Sequence, residues 1–117
     1  MKLKAFLLFI FITGKLVAQS TSGQAEIQIK TSAQCEMCKN RIEEALAFEK
    51  GVKKANLDME TKVVTVVYKT SKTEPSKLRK AISKAGYDAD DIKADQEAYN
   101  KLPACCKKPD DPDHKIH

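Results

Sequence analysis

The sequence predicts an α+β fold, a four-stranded antiparallel sheet carrying two helices on one face, with its elements in the order strand, helix, strand, strand, helix, strand. Three observations predict it. Ile27 and Ile29 alternate with Gln28 and Lys30 at the period of a half-buried strand. Ile42, Ala45 and Leu46 follow at helical spacing. Val63, Val64, Val66, Val67 and Tyr68 then form a nearly continuous apolar run.

The first strand is expected over residues 26–31 and the first helix over 36–48, with Gly51 as its stop. Residues 53–58 and 62–69 bracket the turn-like Asp58-Met59-Glu60-Thr61, the pattern of an antiparallel hairpin. The valine-rich run fits the middle of a sheet better than an edge. Thr73-Glu74-Pro75-Ser76 opens the second helix, because the fixed φ and missing N–H of proline suit a first turn; Leu78, Ala81, Ile82 and Ala85 form its buried stripe. Gly86 ends it. Residues 87–94 supply a last short strand, and Asp88, Asp90 and Asp91 assign it to an edge, where poor strand formers are tolerated. The domain thus spans 26–94. Residues 95–117, with Pro103, Pro109, Pro112 and the cluster Asp110, Asp111 and Asp113, read as a mobile polar tail whose exceptions are Cys105, Cys106, His114 and His117.

The length of 117 residues accommodates one ordinary domain and no second. Its start reads as a secretory signal peptide over 1–19: Lys2 and Lys4 precede an apolar run over 5–12, and cleavage is expected near 18–20, leaving a linker over 20–25. That run is far shorter than the ~20 residues of a membrane span, so the expectation is a soluble periplasmic or secreted protein without a stable membrane anchor. Loss of the leader removes Lys2, Lys4 and Lys15, and the formal charge falls from +5 to +2 (18 Lys and Arg against 16 Asp and Glu). The basicity belongs mostly to targeting. The remaining Lys and Glu are scattered along helical faces without an aromatic-interleaved basic stripe, which argues against nucleic acid as a partner.

Four cysteines in an exported chain suggest two disulfides by default, yet two are spaced Cys-x-x-Cys and two are adjacent. A bridge within either pair closes a tiny loop and removes little unfolded-chain entropy. Cys35-Glu36-Met37-Cys38 lies where the first strand gives way to the first helix. Residues three apart in a first turn share a face, so both sulfurs can converge on one atom. The free amides and positive dipole end of the helix favour thiolates, and Lys39 and Arg41 add positive charge nearby. Two such sulfurs suit a soft cation.

The ordered set of strand, Cys-x-x-Cys, helix, Gly51-Val52, valine-rich strand and Ala85-Gly86-Tyr87-Asp88-Ala89 resembles the heavy-metal-associated domain, a family of soft-metal carriers that includes copper chaperones and the periplasmic mercury-binding protein. The resemblance covers the predicted domain but not the tail. It implies a ferredoxin-like βαββαβ sandwich, metal-binding cysteines at Cys35 and Cys38, and a loop tyrosine near the metal at Tyr87. One departure stands out: members commonly carry Gly-Met-Thr before the first cysteine, where this chain has Ser32-Ala33-Gln34, and Ala33 cannot fill the core as methionine would.

The expected function is an exported carrier that binds Cu(I) or Hg(II) through Cys35 and Cys38 and passes it by thiolate exchange to a metal-transporting membrane protein or that protein's metal-binding domain, without catalysis. Zn(II) normally takes four ligands and would find this pair half adequate. One alternative is a thiol-disulfide oxidoreductase using the same pair, since a helix N-terminus lowers thiol pKa there too; the single-strand lead-in and the lack of tryptophan argue against it. Another is a metal-switched module whose open sheet face recruits a membrane transporter. Cys105 and Cys106, the candidate secondary metal ligands, remain open between a vicinal bridge, an intermolecular cross-link and added thiolates, the tail either folding back over Cys35 and Cys38 or holding a second ion. Tyr87 is expected to pack and shield, Met37 to be exposed or packing, Met59 to occupy a turn, and Glu43, Glu44, His114 and His117 to be solvated.

Overall fold

A computed structural model describes residues 23–115. The signal segment expected over 1–19 and His117 lie outside the described residues. Elements run β1 (Gln24–Lys30), α1 (Glu36–Ala47), β2 (Val52–Asp58), β3 (Val63–Lys69), α2 (Pro75–Lys84), α3 (Gln96–Asn100) and a 3₁₀ turn, Ala104–Cys106. Among the described residues no helix is long and apolar enough to cross a membrane.

The valine-rich β3 is the central strand, antiparallel to β1 on one side and β2 on the other. Its side chains divide by parity, as strand geometry requires. Val64, Val66 and Tyr68 point into the core, while Val63, Thr65 and Val67 are half-buried on the other face. There they are framed by polar neighbours: Lys30 and Asp58 flank Val63, Gln28 and Asn56 flank Thr65, and Glu26 and Lys54 flank Val67. The β2–β3 turn is held by Asp58, whose carboxylate accepts the Glu60 N–H at 2.8 Å.

The helices close the other face. Cys38, Ile42 and Leu46 of α1 and Leu78 and Ile82 of α2 meet Ile29, Leu57, Val64 and Val66 in one core. Burying each of the large aliphatic side chains contributes about 1.5–3 kcal/mol, enough for a few of them to decide the fold of so small a domain. Ala33 is itself a core residue, 1% exposed. Gly51 turns the chain after α1 with φ at +90°, and a Cβ there would sit 2.9 Å from the Lys72 Cβ, so both conformation and space demand glycine.

The fourth strand expected over 87–94 does not form, and among the described residues the sheet has three strands. The segment does lie against the end of β1, but only Ala89 pairs there, in an isolated bridge to Thr31, and its second bridge, to Ile92, closes within the segment itself. Aspartate is the reason. Asp90 adopts a left-handed φ of 54°, and its carboxylate takes the Lys30 N–H at 2.9 Å that a continuing ladder would have used. Asp88 likewise spends an oxygen on the Ala94 N–H. These side-chain bonds compete with regular pairing and turn the segment into a loop.

The expected mobile tail is the second correction. Its backbone is tied down: Asp95 N donates to Ser83 O, Ser83 Oγ donates to Lys93 O, and Asp95 caps α3 through the Ala98 N–H. Leu102, Cys105 and Cys106 are buried and belong to the main core, with Tyr99 packed against it. Gly86 admits this approach. A Cβ at Gly86, whose φ is +104°, would stand 3.1 Å from both Ala98 O and Leu102 Cδ2.

Candidate metal centre

Cys35 is the N-cap of α1, in extended conformation, and its carbonyl accepts the amides of Cys38 and Lys39. Its side chain does not cap the helix and is half-exposed at the rim. Cys38, one turn on, faces inward with Ile42 and Leu46 and is fully buried. The helix entrance therefore sets one sulfur at the surface and one beneath it. Their separation is 3.4 Å, far beyond the ~2.05 Å of a disulfide bond, and both are free thiols.

The C-terminal segment delivers two more sulfurs to the same spot. The 3₁₀ turn places Cys105 Sγ 3.5 Å and Cys106 Sγ 3.7 Å from Cys35 Sγ. Cys35, Cys105 and Cys106 thus form a set whose sulfurs all lie within 4.8 Å of one another. The C-terminal segment folds back on the helix entrance and brings Cys105 and Cys106 to Cys35. Cys35 also opens, with Met37, Cys105, Pro109 and His114, onto a surface cleft of ≈ 520 Å³, wide enough to admit more than a single ion.

Electrostatics separate Cys35 from Cys105 and Cys106. Burial pushes the Cys35 thiol up, but the Cys38 N–H and the thiols of Cys38, Cys105 and Cys106 outweigh it and hold Cys35 below the ordinary thiol value of 9.0. Cys105 is raised, first because Cys35 faces it and then by burial. Cys106 is raised further, by burial and then by Cys38. The nearby cations expected to lower the thiols do not account for this pattern, and Lys39 is engaged with Glu43. Of Cys35, Cys105 and Cys106, Cys35 is the thiol whose pKa is held down, by the Cys38 N–H and its neighbours' thiols.

Tyr87 is fully buried beside these sulfurs, in contact with Cys106 and Cys38. Burial and those neighbours drive its phenol strongly upward, so it stays protonated. Its hydroxyl faces the thiols without a hydrogen bond of ordinary geometry, a buried donor still unpartnered. Met37 is 44% exposed at the cleft. His114, expected to be solvated, is half-buried, with Nδ1 2.6 Å from Lys107 O.

Sequence reasoning missed two supporting residues. Glu43, expected to be solvated, accepts the Leu57 N–H at 2.7 Å and joins α1 to β2. Asp88 holds Lys108 of the C-terminal segment at 2.8 Å. Neither carries a sequence signal of its own, but Tyr99, Leu102, Cys105 and Cys106 recur at spacings of three and four, a weak amphipathic trace in a polar stretch.

This fold, with a cysteine pair at the entrance of its first helix, places the chain in the heavy-metal-associated domain family, which it matches over residues 32–88. The copper chaperone CopZ of Staphylococcus epidermidis is 39% identical over 54 residues, 46% of this chain and 79% of that protein. A copper-exporting P-type ATPase of Staphylococcus saprophyticus is 42% identical over 55 residues, 47% of this chain but 7% of the transporter's own length. Among solved structures, oxidized MerP from Ralstonia metallidurans CH34 superposes with a TM-score of 0.56 at 26% identity, covering 57% of this chain and 94% of MerP. All of these matches leave about half of this chain uncovered, and the family match ends at residue 88, ahead of Cys105 and Cys106.

Proposed function

We propose that this protein is an exported metal carrier that takes up one thiophilic ion, Cu(I) or Hg(II), at Cys35 and Cys38 and hands it to a metal-transporting membrane protein by thiolate exchange. The observation that carries this reading is the 3.4 Å approach of a half-exposed and a buried sulfur at the start of α1. The buried sulfur fixes the ion against the core, while the exposed one lets an incoming thiolate attach before the first metal–sulfur bond breaks. Soft ions accept such low-coordinate sulfur sites. Relatives named as a copper chaperone and a copper-exporting ATPase support a soft ion and a transporter partner.

Binding exchanges thiol protons for metal, so uptake strengthens as pH rises and requires the reduced pair. Anaerobic competition of the reduced protein for Cu(I), Hg(II) and Zn(II), read by native mass spectrometry, tests the assignment. The double variant Cys35→Ser, Cys38→Ser is expected to lose tight Cu(I) and Hg(II) uptake. If that variant competes for these ions as well as the unaltered protein does, the carrier reading is wrong. Turnover in an insulin-reduction assay without metal uptake would favour the oxidoreductase alternative instead.

A further inference from the structure

We propose that Cys105 and Cys106 are metal ligands, and that with Cys35 they form a three-thiolate site for the same soft ion, so that the chain's own C-terminal segment occupies the place an incoming partner's thiolates would take. This rests on the carrier reading above. Three observations carry it. The sulfurs of Cys35, Cys105 and Cys106 lie within 4.8 Å of one another, with 3.5 Å and 3.7 Å between Cys35 and the other two. A metal–sulfur bond of about 2.3 Å in a trigonal set requires sulfurs about 4 Å apart, so the two Cys35 contacts need open only slightly for an ion to enter.

The second observation is that the approach is built. Asp88 pairs with Lys108, Ser83 holds the backbone of Lys93 and Asp95, and Gly86 leaves room for Ala98 and Leu102. A segment held by its own core residues delivers its cysteines to one place; a mobile tail would not. The third is Tyr87. Its fully buried hydroxyl lacks a hydrogen-bond partner and abuts Cys106 and Cys38. A metal-bound thiolate is a far better acceptor than a thiol, so loading the site gives this donor its partner.

The stoichiometry is plain. One Cu(I) and three thiols give a trithiolate of net charge −2 and three protons released to solvent, with no change of oxidation state. Cys35 is common to this set and to the Cys35–Cys38 pair. The ion can therefore pass between the two by exchanging one thiolate at a time around Cys35, and a partner must displace the C-terminal sulfurs to remove it.

The sharing of Cys35 makes the two sites separable by experiment. X-ray absorption of the Cu(I)-loaded, unaltered protein counts sulfurs directly, and three or more are expected against two for Cys105→Ala, Cys106→Ala. The latter variant should still bind Cu(I) one to one, but about tenfold or more weakly, since even second-layer changes around a metal cost that much. It should also release Cu(I) faster to dithiothreitol. Cys35→Ser should be more damaging than Cys38→Ser, because only the first removes a ligand from both sets. Two sulfurs in the unaltered protein, or equal affinity and release rate in the Cys105, Cys106 variant, would overturn the proposal and leave the carrier reading intact. Undiminished binding in Cys35→Ser, Cys38→Ser would instead remove the carrier reading itself. Should the alanine variant misfold, the sulfur count in the unaltered protein decides alone.

Discussion

The Asp88 carboxylate and the Lys108 ammonium, 2.8 Å apart, tie the C-terminal segment to the loop that carries Tyr87. Asp88 also accepts the Ala94 N–H, so one side chain fastens both ends of the connection that leads to α3. Burial raises the Asp88 carboxyl, but Lys108, the Ala94 amide and the charge on Lys93 more than offset it and hold the group below its ordinary 3.8.

A carboxylate depressed by folding contributes stability that is complete above its unfolded pKa and is lost as pH falls through the folded one. Melting temperature should therefore fall below about pH 4, and Asp88→Asn should flatten part of that fall. Asp90, held low by Arg79 and the Lys30 amide against burial, accounts for more of it. At neutral pH the cost of Asp88→Asn is small, about 0.2–1 kcal/mol for a partly exposed ion pair. A melting profile for Asp88→Asn identical to the unaltered protein's from pH 7 down to pH 3 would refute this role.

Thiol reactivity gives a second expectation. Cys35 is half-exposed and its pKa is lowered, whereas Cys38, Cys105 and Cys106 are at most 7% exposed. Iodoacetamide should modify Cys35 first in the reduced, metal-free protein, with a midpoint below pH 9. The thiolate exists above that midpoint, so the rate rises with pH and levels off earlier than for an ordinary thiol. Peptide mapping that finds Cys106 modified as fast as Cys35 would show that the segment does not stay docked.

The core of this arrangement was legible in the sequence because hydrophobic spacing reports burial directly. The valine run placed β3 at the sheet centre, and Ile42 and Leu46, like Leu78 and Ile82, marked the buried faces of the helices. The Cys35–Cys38 pair was legible because a helix start fixes what lies three residues apart. The lost fourth strand was not, since it depends on whether Asp88 and Asp90 bond solvent or backbone, which spacing does not encode. Nor was the docked segment. Its charged and proline-rich composition outweighs three buried side chains, Leu102, Cys105 and Cys106, and the seating of Leu102 depends on a groove beside Gly86 that exists only once the rest has folded.

Gly86 supplies a third prediction. Alanine there must adopt φ near +104° and bring its Cβ within 3.1 Å of Ala98 O and Leu102 Cδ2. The strained conformation costs about 1–3 kcal/mol, and the crowding falls on the C-terminal segment rather than on the sheet. Gly86→Ala should expose Cys105 and Cys106 to iodoacetamide while β1 and β3 retain their amide protection in hydrogen exchange. Slow alkylation of both cysteines in this variant would show that the groove yields elsewhere.

Tyr87 ties stability to loading with opposite signs in the two states. In the metal-free protein its buried hydroxyl faces thiols without a proper bond, and an unsatisfied buried polar group costs about 1–3 kcal/mol. Tyr87→Phe removes that cost while keeping the ring, so the metal-free variant should melt at the same temperature or higher. Loaded with Cu(I), the sulfurs become charged acceptors and the hydroxyl gains a charge-assisted bond. There the same substitution should lower the melting temperature and weaken binding. A single direction of change in both states would mean that the hydroxyl does not respond to the charge on Cys38 or Cys106, and that Tyr87 acts on the site through packing alone.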